Sequence, residues 1–285
     1  MYARSIPRPS FTVLLAISAI SLFVIILLRP SQSATTLISE WKPPQMITKP
    51  DLPSEQANPP APAIIGTTVA VDALDISVDA TLYSNERDAL HSELADALAY
   101  VTQRFGSAPS ARFTAAIVSD ASCGLHGIAY TDVRNVQVFT CPSISRDRAV
   151  NIMAHEMMHQ LEHDRYGPPH LSSDLILSEG LATWGAGKYW LGGQPDFKTF
   201  VRKQRDAGLF YPLATHYSGL GITAMNALYY QWASFVDFLI TTYGRNKFDQ
   251  LYVTGHGDPG SSDYAGVYGK SLDVLEQEWK AWLDS

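Results

Sequence analysis

Two histidines, His155 and His159, stand four residues apart, and Glu156 directly follows the first, in the stretch Ile152-Met153-Ala154-His155-Glu156-Met157-Met158-His159. On an α-helix, residues four apart lie one above the other on the same face. Both imidazoles can therefore reach one metal ion from a single rod, with the Glu156 carboxylate beside them. The H-E-x-x-H pattern suits metal-assisted hydrolysis: two nitrogen ligands for zinc and a carboxylate to act as general base. The bare pattern also arises by chance, so its surroundings decide its weight. Met153, Met157 and Met158 read as core filler around it.

A catalytic zinc site takes three protein ligands and keeps one position open. His163 continues the i, i+4, i+8 series, but eight residues of helix set it roughly 12 Å from His155 along the axis. It reads as a polar residue near a helix end. Glu179, in Leu177-Ser178-Glu179-Gly180-Leu181-Ala182-Thr183-Trp184, is the better third ligand. It opens the next helical stretch after a proline-containing turn, and two antiparallel helices so joined can face a carboxylate toward the histidines. Gly180 would allow those helices to approach closely. The competing reading of Glu179 is a solvent-facing acid favoured by the helix dipole. His91, His126, His170 and His256 read as surface or loop residues.

The elements that must position these groups follow from periodicity. Thr67–Val78 alternates and suggests one or two strands; Arg112–Val118 suggests another. Gly127–Thr131 and Val136–Cys141 read as a hairpin around Asp132-Val133-Arg134-Asn135. Helix Asn85–Phe105 keeps Leu90, Leu94, Leu98 and Val101 on one face and stops at Gly106. The metal helix starts after Ser145, a good N-cap, and closes at Gly167 before Pro168-Pro169. Further helices are expected over Ser178–Trp190, Asp196–Ala207, Asn226–Tyr243 and Leu272–Leu283, with Gly208–Met225 as loop. Strands first and helices afterwards argue an α+β fold with two lobes.

H-E-x-x-H followed about twenty residues later by Ser178-Glu179-Gly180-Leu181-Ala182 resembles the gluzincin zinc metallopeptidases, especially the peptidase-MA-like group. The similarity extends to Tyr229-Tyr230-Gln231, to Tyr243-Gly244 at the end of that helix, and to the closing Trp279 helix. It covers roughly Phe113–Leu283, strongly at the metal helices and loosely elsewhere. It implies a zincin-like fold: a small mixed sheet with the active-site helix, then a mainly helical C-terminal lobe. It implies one zinc ion bound by His155, His159 and Glu179, with Glu156 as general base for peptide hydrolysis. It also implies a Tyr or His donor for the oxyanion. Tyr229 is favoured because it borders the core stripe; Tyr230 and His216 are rivals. The strand Val136–Thr140 would pair with the substrate. Many gluzincins carry an acid four residues after the glutamate ligand, and Thr183 stands there instead. The alternative function is therefore a metal- or peptide-binding module on the same fold without turnover. No Gly-x-Met-x-Asn segment is present to hold a free amine, which favours an endopeptidase.

Composition sets the context. The chain has 285 residues, is 46% hydrophobic and carries a formal net charge of −7, which leaves no basic footprint for nucleic acid. Residues 11–28 form an unbroken apolar and small-residue run, roughly 27 Å long as a helix and just enough to span a bilayer core. Arg4 and Arg8 precede it, so residues 1–10 would stay in the cytoplasm and the rest outside. The run reads as an uncleaved anchor; a cleaved signal peptide, giving a secreted protein, is the competing reading. Residues 29–64 form a proline-rich linker, and 65–285 a metallopeptidase-like domain. The two cysteines, Cys123 and Cys141, would flank the hairpin and form a disulfide outside the cytoplasm.

Overall fold

The computed structural model describes residues 73–285, which belong to one compact unit. The 1–10 tail, the 11–28 span, the 29–64 linker and the start of the first strand region lie outside the described residues. Among the described residues no helix is long and apolar enough to cross a membrane.

The fold is α+β. Four strands, β1 (Leu74–Val78), β2 (Phe113–Ser119), β3 (His126–Tyr130) and β4 (Asn135–Thr140), form one sheet in the order β1-β2-β4-β3. β1 pairs parallel with β2, and β2 parallel with β4; β3 runs antiparallel to β4, with Gly127 opposite Val138. Alternation follows the strand period of two: Phe113, Ala115 and Ile117 of β2 and Val136 and Val138 of β4 are buried. Helix α1 (Arg87–Phe105) connects β1 to β2, burying Leu90, Leu94, Leu98 and Val101. Gly106, at φ 89°, closes it as the left-handed residue that glycine adopts without strain.

Helix α2 (Arg146–Tyr166) packs on α1 and on the sheet. It spans 21 residues and ends at Gly167, as its sequence predicts; Ser145 stands at the N-cap without a side-chain capping bond. After α2 the chain is helical: α3 (Leu175–Ala186), α4 (Lys188–Leu191), α5 (Phe197–Asp206), α6 (Ile222–Tyr243), α7 (Arg245–Tyr252), α8 (Tyr264–Tyr268) and α9 (Leu272–Asp284). One hydrophobic cluster runs from Phe113 of the sheet through Trp232 of α6 to Trp279 of α9.

Several expectations need correction. α3 starts at Leu175, not Ser178, because the buried Asp174 caps it, accepting the Ile176 N–H at 2.9 Å. The expected single helix to Trp190 breaks at Gly187, whose φ of 46° turns the chain into α4. α6 begins a turn early, at Ile222, and α7 and α8 were not anticipated. Gly244 does end α6, but the next residues bury Phe248, Leu251 and Tyr252 and so form a helix of their own. β4 is an interior strand, with β2 on one side and β3 on the other. Its backbone groups are engaged on both edges, so it has no edge left for a peptide; among the described residues β1 and β3 are the border strands, and β3 is the one beside β4.

Candidate metal centre

His155, Glu156 and His159 lie mid-way along α2, where side-chain directions are set by regular helix geometry. The Nε2 atoms of His155 and His159 approach to 3.2 Å. Glu179, in the second turn of α3, brings Oε2 to 3.0 Å from His155 Nε2 and 3.7 Å from His159 Nε2. α3 can deliver it because Gly180 lies against α6: a Cβ there would stand 2.8 Å from the Trp232 carbonyl oxygen. Thr183, one turn after Glu179, reaches the other nitrogen of the same histidine, with Oγ1 3.4 Å from His155 Nδ1.

These three atoms fit a zinc ion. Ligands about 2.0–2.1 Å from a tetrahedral centre stand about 3.3 Å apart, and the observed edges are 3.0, 3.2 and 3.7 Å. The donor set, two imidazole nitrogens and one carboxylate oxygen, suits zinc. Charge points the same way. Glu156, Glu162 and Glu179 crowd around two histidines, yet among the described residues no Lys or Arg lines the cleft above them. Buried carboxylates of this kind are costly without a cation.

The titration directions follow from burial and from these neighbours. Burial pushes the Glu156 carboxyl up to about 8, with Glu179 and Glu162 adding to it against the opposing pull of His159. His155 is shifted down by burial, which outweighs its contact with Glu179. For His159 burial acts downward too, but Glu162 and Glu179 outweigh it and hold the ring well above its ordinary value. Burial would raise Glu179, but hydrogen bonds from the two histidines hold it well below the usual carboxylate range.

Glu156 is 7% exposed and packs on Gly127 of β3, where a Cβ would collide with its carboxylate. The site therefore abuts the border strand. A cleft of about 600 Å³ opens here, lined by Gly127, Ile128, the metal-helix residues, Trp190, Tyr217 and Tyr229. Three of the most exposed large apolar residues, Ile128, Leu171 and Ile222, sit on its walls.

Of the three oxyanion-donor candidates, only Tyr229 lines the cleft. Its ring stacks on His155 with centroids 6.0 Å apart, and burial followed by the Glu179 charge raises its pKa. Tyr230 turns away and donates its hydroxyl to the Trp190 carbonyl at 2.8 Å. His216 is exposed, and its Nδ1 accepts the Ser218 N–H at 2.9 Å. Tyr217, which the sequence reading missed, lines the cleft edge-on to Tyr229.

His163 stays out of the cluster of His155, His159 and Glu179. His170 is not a surface residue: its side chain is 8% exposed and its Nδ1 lies 2.8 Å from the Tyr252 hydroxyl. Glu162, fully buried, was also missed; its Oε2 lies 3.1 Å from His159 Nδ1. The i, i+3 spacing of His159 and Glu162 is the signal that could have found it. At the sheet, a disulfide joins Cys123 to Cys141 and ties the β2–β3 loop to the end of β4. Neither a scan against models of known protein families nor a search of curated proteins found a match for this chain.

Proposed function

We propose that this chain is a zinc-dependent endopeptidase of the gluzincin type, held at a membrane by residues 11–28 and acting on peptides outside the cytoplasm. One observation carries the reading: the triangle of His155 Nε2, His159 Nε2 and Glu179 Oε2 beside a buried glutamate at the border of a sheet. The fold is then zincin-like, with the sheet and α2 as one lobe and the later helices as the other.

His155, His159 and Glu179 would hold the ion. Zinc, when bound, supplies the Lewis acidity that acidifies a water and polarises a peptide carbonyl. Glu156 takes the proton of the attacking water and passes it to the leaving amine. Beside a bound divalent cation Glu156 would ionise more readily, against the burial that raises its pKa. Tyr229 donates its O–H to the oxygen that gains charge in the tetrahedral state. The peptide extends along β3, whose outer edge offers main-chain donors and acceptors. Ile128, Leu171 and Ile222 receive apolar side chains. Among the described residues the cleft is lined by no Lys or Arg, which a terminal carboxylate would need, and this supports internal cleavage. The disulfide supports an oxidising compartment.

Digestion of a mixed peptide library by the purified chain tests this. Cleavage is expected beside large apolar residues, away from the termini, lost with a chelator and restored by zinc. Cleavage that survives complete removal of metal would exclude the reading.

A further inference from the structure

Both histidines turn Nε2 toward the centre, so each Nδ1 must be held by something else. A partner there fixes the ring's tautomer and orientation, and a carboxylate also raises the basicity of the opposite nitrogen. Among the described residues His155 has only the Thr183 hydroxyl there, at 3.4 Å. His159 has the Glu162 carboxylate, on the same helix and one turn on.

Glu162 sits in a directional chain. Its Oε2 accepts the Tyr252 hydroxyl at 2.9 Å, from α7. Tyr252 spends its single proton on that bond, so at 2.8 Å it must accept from His170 Nδ1. The remaining oxygen, Oε1, is buried and has no hydrogen-bond partner among the described residues. A purely structural link from α2 to α7 would need only a neutral acceptor for Tyr252. A fully buried carboxyl group with one idle oxygen is an expensive way to make it. What the carboxyl group serves is the Nδ1–H of His159, 3.1 Å from its Oε2.

We propose that Glu162 is the positioning residue of the metal centre. It accepts the His159 Nδ1–H, keeps the Nε2 lone pair directed at His155 and Glu179, and is itself held by Tyr252 and His170. The carboxylate missing at Thr183 is thereby supplied from the metal helix, to the other histidine. The proposal rests on the reading of His155, His159 and Glu179 as a zinc site.

Zinc affinity of the full chain, measured by competition with a chromogenic chelator, tests it alongside melting of the metal-free protein. Glu162→Gln keeps the shape and an acceptor for Tyr252. It is expected to weaken zinc binding about 10–100-fold while the metal-free protein melts no lower than wild type. Tyr252→Phe, which leaves the carboxylate but loosens it, is expected to weaken zinc binding severalfold, and decides the matter should Glu162→Gln fail to fold. Wild-type zinc affinity in both variants, or a lowered melting point with unchanged affinity, would assign Glu162 a structural role and overturn the proposal. Failure of the underlying reading looks different: wild type itself would then hold no stoichiometric zinc, which overturns both.

Discussion

Glu156 is where residue chemistry is most exposed to test. Burial lifts its carboxyl from an ordinary 4.5 to about 8 in the metal-free protein. Between those values the folded state keeps a proton that the unfolded chain has released. Stability therefore falls as pH rises through that window, and the loss is complete above the folded value. At about 1.4 kcal/mol per pKa unit the effect amounts to a few kcal/mol at most. Metal-free wild type should lose melting temperature between about pH 5 and 8, and Glu156→Gln should lose less. Parallel curves for the two proteins would contradict a buried carboxyl at this position. The same variant should keep its zinc and lose cleavage by about 10²–10⁴-fold, the usual contribution of a general base.

At the scale of elements, the site depends on how closely α3 lies against α6. Gly180 makes that approach possible, and its neighbours there are the rigid carbonyl carbon and oxygen of Trp232, at 2.9 and 2.8 Å from an added Cβ. Gly180→Ala should push α3 outward, at a cost of about 1–3 kcal/mol. Because Glu179 precedes this glycine, zinc affinity should fall as well. Chemical denaturation and metal titration of the variant measure the two effects separately, and wild-type values in both would rule out the packing account. α2 could be placed from its sequence because its periodicity, its acidic first turn and its terminal Gly167 agree. The start of α3 could not, because Asp174 is made a cap by partners far along the chain. It also accepts the Gly260 and Ser262 N–H groups and the Tyr264 hydroxyl.

Across the whole molecule, the disulfide ties the loop before β3 to the end of β4, and β3 borders the cleft. Closing a loop of this size limits the unfolded chain and stabilises the fold by about 3 kcal/mol in the chain-entropy picture. Cys123→Ser should lower the unfolding free energy measured in urea by about 3 kcal/mol, and so the midpoint, while zinc binding persists, since His155, His159 and Glu179 all lie outside the bridged loop. An unchanged midpoint would mean that the strands hold the hairpin unaided. The proposed peptide track on β3 is also a whole-molecule property. Val136–Thr140 alternates as an exposed border strand would, yet pairing with both β2 and β3 makes it internal.

The sequence by itself determined what is local. Residues four apart on a regular helix share a face whatever surrounds them, so the grouping of His155 with His159 follows from spacing alone. The helix faces and the hairpin were legible from local periodicity too, and the cysteine pair from its place on either side of that hairpin. Glu162 was within reach of that logic, three residues beyond His159. Glu179 could be named from the sequence as a partner for the two histidines, but the tertiary structure decided the contacts that join distant segments: the distance of Glu179 from His155, Thr183 behind the same ring, Gly127 under Glu156, and Tyr252 on Glu162. Those contacts depend on how helices and strands pack, and no short-range periodicity encodes which side chain will meet another ninety residues away.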